Sequence, residues 1–152
     1  MESNKLYEVL LSLPFIVVTN VEISKKELHI NCESQLESGH CPNCLCQCTE
    51  VNQSQERILQ DLSISGRKVY LHLKSRQFIC EDCNRFFYER FHFASKYERM
   101  TIRYEDFIYH RCIGVDLSYV SRQEDLCWAT VNRIFEKWST KKIALSNLLS
   151  GG

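Results

Sequence analysis

Two Cys-x-x-Cys pairs carry the clearest chemistry in the chain, Cys41-Pro42-Asn43-Cys44 and Cys80-Glu81-Asp82-Cys83. Each pair can aim two thiolates at one point, and two pairs complete the tetrahedron that Zn2+ accepts. The interval between them is 35 residues, longer than in a compact finger. With all four positions filled by protein, the ion would be structural, with no place left for water or substrate. Asn84 follows the second pair, and Asn tolerates the left-handed backbone that such knuckles need. Leu45 follows the first pair, where Gly would be easier. Cys46 and Cys48 lie close enough in sequence to replace Cys44, so the ligand set stays open at that position. A thioredoxin-type redox pair would need a βαβ context, which the pattern lacks. Cys32, Cys112 and Cys127 fall on apolar faces or a cap position and read as small packing residues.

The elements that must hold these pairs read as strands. Lys68–Cys80 places Val69, Leu71, Leu73 and Ile79 in alternation with Tyr70, His72, Lys74, Arg76 and Phe78, the period of a strand with one buried face. Ile64-Ser65-Gly66-Arg67 before it supplies a reversal. Companion strands are expected over Arg57–Leu62 and Arg85–Phe91. Residues 40–91 thus form a small antiparallel zinc ribbon. Upstream, Leu6, Val9, Leu10 and Leu13 mark the face of a short helix over residues 4–13, ended by Pro14. A hairpin follows over residues 15–34, reversing at Ser24-Lys25-Lys26. Residues 1–39 are therefore expected as an N-terminal helix and hairpin, and 92–100 as a connector.

From residue 101 the period becomes helical. Tyr104, Phe107, Ile108 and Cys112 repeat at helical spacing, as do Val131, Ile134, Phe135 and Trp138. Three short helices are expected over 101–142, with a sharp turn near Glu124–Cys127, and a tail without packing logic over 143–152. The turn has the layout of a helix-turn-helix. Ser121 is small enough for a close crossing, Leu126 plugs the turn, and Cys127 stands at the N-cap. Ala129, Asn132, Arg133 and Glu136 then lie outward, where a recognition helix reaches base edges. The fold class expected is α+β, a zinc-ribbon β domain followed by a three-helix domain. A plain helical bundle is the competing reading of the last segment.

Composition bounds these readings. The chain has 152 residues, 44% hydrophobic and 25% charged, which is ordinary for a globular protein and excludes a disordered or collagen-like one. Basic and acidic residues number 19 each, so bulk charge names no partner. The balance is uneven along the chain: residues 1–50 carry 3 basic against 7 acidic side chains, and residues 51–100 carry 9 against 6. Such asymmetry points weakly to an anionic partner for the later part. No apolar run approaches the roughly 20 residues of a membrane span. Nine cysteines, an odd number without a secretory leader, argue against a disulfide framework and for a reducing compartment. No carboxylate cluster, nucleophile–base pair or phosphate loop suggests an enzyme.

The series His40-Cys-Pro-Asn-Cys44, Asp61-Leu62, Gly66-Arg67-Lys68-Val69, Arg76-Gln-Phe-Ile-Cys80, Cys83 and Phe87-Tyr-Glu-Arg-Phe91 resembles the zinc-binding region of bacterial insertion-sequence transposases of the IS-L-three family. Thr101-Ile-Arg103 and Trp128-Ala-Thr-Val-Asn-Arg133 resemble that family's helix-turn-helix. Glu124 and Asp125 depart from it, standing where the family pattern favours an apolar residue and Gly. The resemblance implies binding of double-stranded transposon-end DNA. One structural Zn2+ would be held by Cys41, Cys44, Cys80 and Cys83. It also implies that the acidic catalytic site lies beyond this chain, which would position DNA rather than cut it. Helix geometry and charge nominate Trp128, Ala129, Thr130, Asn132, Arg133 and Lys137 for the DNA, with Lys68, Lys74 and Arg76 on a basic strand face. Cytoplasmic, nucleoid-associated placement and a possible partnership with itself or a catalytic transposase follow, with no membrane and no small-molecule substrate. A transcription regulator or a zinc-ribbon interaction module is the alternative.

Overall fold

The computed structural model describes residues 2–151, which divide into two compact units, one ending at Thr101 and one beginning at Ile102. In the first unit, helix α1 (Glu2–Leu11) leads into strands β1 (Ile16–Ile23) and β2 (Glu27–Ser34), then two short strands, β3 (Gly39–His40) and β4 (Gln47–Cys48). Two long strands follow, β5 (Val51–Ile64) and β6 (Arg67–Cys80), and a short one, β7 (Arg85–Tyr88). The sheet order is β1-β2-β6-β5, with β7 also paired to β6. Because β5 occupies one edge of β6 along nearly its whole length, β2 and β7 share the other edge, β2 beside Lys68–Leu73 and β7 beside Gln77–Cys80.

The β5–β6 reversal lies at Ser65 and Gly66, both with positive φ (50° and 76°), which only Gly adopts without strain. β5 begins six residues earlier than the apolar pattern suggests. Val51–Glu56 are all exposed, so no burial period marks them, and they are strand because β6 pairs with them. The β2–β6 pairing is parallel, whereas an all-antiparallel ribbon is the sequence expectation. It also joins residues 1–39 to the long hairpin in one sheet, with no boundary near residue 40. Alternation tells which face a strand buries but not which strand it lies beside.

One sheet face carries the main core, built from Ile16, Val18, Leu28, Ile30, Cys32, Leu59, Val69, Leu71 and Leu73, with Leu11, Phe91 and Ala94 packed against it. On α1 the buried side is not the anticipated one. Leu6, Val9 and Leu10 are exposed, while Leu11 is buried and Tyr7 and Leu13 pack partly. The Glu8 carboxylate accepts the Val18 N–H at 2.9 Å, which turns the Tyr7–Leu11 side toward the sheet. Residues 92–100, anticipated as a connector, are tied to β5. Arg57 donates to the Ser95 and Glu98 carbonyls, and the Gln60 N–H reaches the Arg99 carbonyl at 2.9 Å.

The second unit holds α2 (Ile102–Cys112), α3 (Leu117–Glu124) and α4 (Trp128–Ser150). Tyr104, Ile108 and Cys112 of α2 are buried with Val120 of α3 and Val131, Ile134 and Trp138 of α4. Phe107 stays partly exposed, and Phe135 stacks on Tyr109 at 5.8 Å. α4 is 23 residues long and includes most of the anticipated tail. Residues 139–150 bury nothing, but they contain no Gly or Pro, and Ala, Leu and Lys favour the helix by propensity alone. No helix among the described residues is long and apolar enough to cross a membrane.

Candidate metal centre and helix-turn-helix

The first knuckle is framed by the β3–β4 pairing of Gly39 with Cys48 and His40 with Gln47. Inside it the Cys41 N–H donates to the Cys46 carbonyl and the Leu45 N–H to the Cys41 carbonyl, both at 2.9 Å. The second knuckle closes the β6–β7 hairpin, where Cys80 faces Arg85. Leu45 and Asn84, the residues that follow the two pairs, both adopt left-handed φ (63° and 52°), so Leu45 accepts the geometry that Gly would take more easily. In the first knuckle this turn aims the backbone N–H groups of Asn43 and Cys44 at the Cys41 sulfur, and that of Cys46 at the Cys44 sulfur.

The Sγ atoms of Cys41, Cys44, Cys80 and Cys83 all lie within 4.8 Å of one another, with Cys44 and Cys80 at 3.5 Å. Zn–S bonds of about 2.3 Å in a tetrahedron put sulfurs about 3.8 Å apart, so this donor set fits the ion. The Cys41 thiol is lowered to about 7 by backbone N–H groups of Cys44 and Asn43, the direction that favours a thiolate ligand. Asn43 Nδ2 donates to Cys83 Sγ at 3.2 Å, an outer contact that steadies a ligand. The two other nearby thiols border the group and have partners outside it: Cys46 Sγ lies 2.9 Å from Asp82 Oδ2, and Cys48 Sγ bonds back to the Cys46 carbonyl at 3.5 Å. Cys44, Cys46 and Asp82 do converge as a smaller group.

Under the four thiols lies a separate apolar cluster of Cys41, Cys48, Phe78 and Cys80. This corrects the strand reading, in which Ile79 was the buried residue and Phe78 the exposed one. The burial parity of β6 flips between Ser75 and Phe78, opposite an irregularity of β5 between Val51 and Gln53. That end of the hairpin buries its other face because its packing partner is the cysteine centre and not the main core. Gly39 is part of the same packing: a Cβ there would meet the Phe78 ring at 2.8 Å.

Of the anticipated basic strand face, Lys68 is half-buried and Lys74 is exposed, 3.9 Å from Glu33. Arg76 is engaged within the fold. Its guanidinium makes a two-pronged pair with Glu89 (3.0 and 2.9 Å) and donates to the Leu36 carbonyl at 2.6 Å. Glu89 raises its already high pKa further.

In the second unit, α3 opens at Asp116, whose carboxylate accepts the Ser118 N–H at 2.9 Å. It ends at Asp125, in the left-handed region at φ 51°, with the Leu126 N–H on the Ser121 carbonyl and the Ser121 hydroxyl on the Leu126 carbonyl at 2.6 Å. Asp125 therefore takes the backbone position where Gly is easiest. Glu124 is half-buried, with its carboxylate 3.4 Å from Arg111 of α2. α4 then starts at Cys127, an N-cap without a side-chain hydrogen bond. Trp128, Ala129 and Arg133 are exposed and Thr130 and Asn132 half-buried, while Val131 and Ile134 turn inward. Lys137 differs from them, its ammonium lying 2.9 Å from the buried carboxylate of Glu105. The sequence assigns no role to Glu105, or to Glu89 beyond its place in the Phe87–Phe91 motif, since a lone acidic residue on a helix or after a strand carries no pattern.

Residues 37–83 match the family model described as the zinc-finger of transposase IS204/IS1001/IS1096/IS1165, and residues 89–139 match the helix-turn-helix domain of transposase family ISL3. The chain matches the ISL3 transposase family in both of its parts. A transposase for insertion sequence element IS1001 from Bordetella parapertussis is 29% identical over 94 residues, 62% of this chain and 23% of that protein. The chain thus spans less than a quarter of the length of that curated relative. No solved structure matches. The ISL3 zinc-finger match contains all four converging cysteines, and the ISL3 helix-turn-helix match runs from before α2 into α4.

Proposed function

We propose that this chain is the DNA-recognition portion of an ISL3-type transposase, binding the ends of its element in double-stranded form. The observation that carries the reading is the α3–α4 turn. It is locked by Ser121 and Leu126 and starts α4 with Trp128, Ala129, Thr130, Asn132 and Arg133 on its outer side. In a helix-turn-helix those first two turns enter the major groove. Arg can bond guanine and Asn adenine with two prongs each, so Asn132 and Arg133 are the residues we assign to base reading. Lys68 and Lys74 supply the phosphate contacts of the sheet unit, which hold register without reading sequence. Arg76 and Lys137 contribute mainly by holding Glu89 and Glu105, with phosphate contact secondary.

One zinc ion on Cys41, Cys44, Cys80 and Cys83 would cross-link the two knuckles. The thiolates hold it, Asn43 orients Cys83, and Phe78 shields the centre from one side. Strand cutting and joining then belong to other parts of the transposase, and this chain positions the DNA. A footprint on the element's terminal sequences tests the assignment. Protection of discrete bases at both ends is expected; protection confined to a promoter, or none, would overturn it in favour of a regulator or an interaction module.

A further inference from the structure

The sheet face opposite the main core carries a chain of ionisable groups that the proposed function does not use. His29 Nδ1 of β2 lies 2.8 Å from His72 Nε2 of β6. The far nitrogens of both rings face carboxylates, His29 Nε2 at 2.9 Å from Glu27 and His72 Nδ1 at 2.8 Å from Glu56. Tyr70 stacks on His29 with ring centroids 5.1 Å apart and holds the ring's plane. We propose that His29 and His72 form a second metal site, for a divalent transition-metal ion of imidazole preference such as Ni2+, Cu2+ or Zn2+.

The destination of each ring's N–H decides what the facing nitrogens can do. A neutral imidazole has one N–H, and a carboxylate accepts but cannot donate. Once each ring donates its N–H to its own glutamate, both facing nitrogens present bare lone pairs across 2.8 Å. That arrangement repels itself unless a cation, either a proton shared by the rings or a metal ion held by both, joins the two nitrogens. A carboxylate behind each ring is also the arrangement that fixes the tautomer of metal-bound histidines and raises their basicity. Metal–nitrogen bonds of about 2.0–2.1 Å at a tetrahedral angle put the nitrogens about 3.3 Å apart, so the rings must separate by about half an ångström and tilt their lone pairs toward a common point beside the N–N line. Part of His29 is open to solvent, which leaves room for waters to complete the coordination. Two glutamates and no thiol make this site chemically distinct from the cysteine centre, and imidazole donors suit Ni2+, Cu2+ and Zn2+. On the same face, Lys68 stands beside Glu27 in register and Lys74 beside Glu33, so the cations nearby flank the site without entering the His–His gap.

Equilibrium dialysis against micromolar Ni2+ of the chain loaded with one equivalent of zinc, which fills the cysteine centre first, tests this, with zinc and nickel both counted and the histidine ring resonances followed by NMR. The expected result is about one nickel per chain with zinc unchanged, and selective broadening of the His29 and His72 signals. His72→Ala should abolish the uptake, and Glu56→Gln should weaken it about tenfold by loosening the ring. His110→Ala, on α2, should leave it unchanged. No nickel uptake, equal uptake by His72→Ala, or uptake matched by zinc loss would each overturn the proposal. None of these outcomes bears on whether the chain binds DNA.

Discussion

Lys137 of α4 and Glu105 of α2 meet with Nζ 2.9 Å from Oε2, and the same oxygen accepts the Trp138 indole N–H at 3.0 Å. Glu105 is 1% exposed, so its charge is compensated almost wholly by these two donors. A buried carboxylate that loses its cation keeps the cost of its lost hydration. Lys137→Ala is therefore expected to destabilise the helical unit by about 2–3 kcal/mol, somewhat below a fully buried pair because the lysine is partly exposed. Urea unfolding followed by helical circular dichroism measures it. Glu105→Gln, which retains an acceptor for Trp138, should cost less. Equal stability of Lys137→Ala and the parent chain would remove Lys137 from the latch.

Gly39 is required by space and not by φ. A methyl group would lie 2.8 Å from the Phe78 ring, which is fully buried beside Cys41 and Cys80, so the knuckle or the ring would have to shift. Gly39→Ala is expected to weaken the cysteine centre, with zinc released at a lower chelator concentration than in the parent chain. The double variant Gly39→Ala with Phe78→Leu should recover part of the loss. Unchanged zinc retention in the single variant would show that the knuckle yields.

Thiol chemistry should separate the cysteines that lie outside the metal centre. Cys32 is buried, and burial with the nearby charges of Glu8 and Asp61 pushes its thiol up to about 12. Cys112 is raised by burial as well, whereas Cys127 is exposed at the start of α4. The thiolate is the reacting form. Alkylation of the zinc-loaded chain at pH 8 should therefore label Cys127 first and leave Cys32 and Cys112 unlabelled until unfolding, as read by peptide mass spectrometry. Early labelling of Cys32 would contradict its place in the core.

Metal removal should act on one end of the sheet unit. Site energies of this kind are on the order of 10 kcal/mol for small zinc folds. Here the cluster under the thiols is separate from the main core, which contains twelve buried residues without any of the four proposed ligands. Chelation, or Cys83→Ser, is thus expected to expose amides of residues 39–48 and 78–88 to hydrogen exchange while β1, β2 and the middle of β6 stay protected. Loss of protection throughout the sheet would mean that the ion supports the whole unit. Unchanged exchange at residues 39–48 would exclude a metal centre there.

Much of this was legible in the residues, for identifiable reasons. Four cysteines in two pairs declare their convergence by spacing, and Ser65-Gly66 declares a reversal by conformational demand. The inward set Val131, Ile134 and Trp138 declares a helix face by period. What stayed hidden depends on partners far away in sequence. The parallel pairing of β2 with β6 leaves no mark on either strand. The same holds for the Arg76–Glu89 and Lys137–Glu105 pairs, in which a residue read as a cation for DNA is held by a carboxylate 13 or 32 positions away. Phe78 and Ile79 exchanged roles because a parity flip in mid-strand is invisible to a period of two. The inward stripe of α1 differs from the apolar pattern because Leu6, Val9 and Leu10 keep helical spacing on a side that the sheet does not cover, while Tyr7 and Leu11 pack.

Base reading by the first two turns of α4 is the step on which DNA recognition depends. The most direct measurement is the ratio of affinities of the zinc-loaded chain for an element-end duplex and a scrambled duplex, at one salt concentration, in the parent and in Arg133→Ala. A bidentate Arg–guanine contact is worth about 1–3 kcal/mol of discrimination, roughly a ten- to hundred-fold change in that ratio. The expected result is a strong preference for the element end in the parent, and its collapse by at least tenfold in Arg133→Ala with scrambled binding little altered. A parent chain that binds both duplexes equally, or an Arg133→Ala variant that loses affinity for both alike, would contradict it.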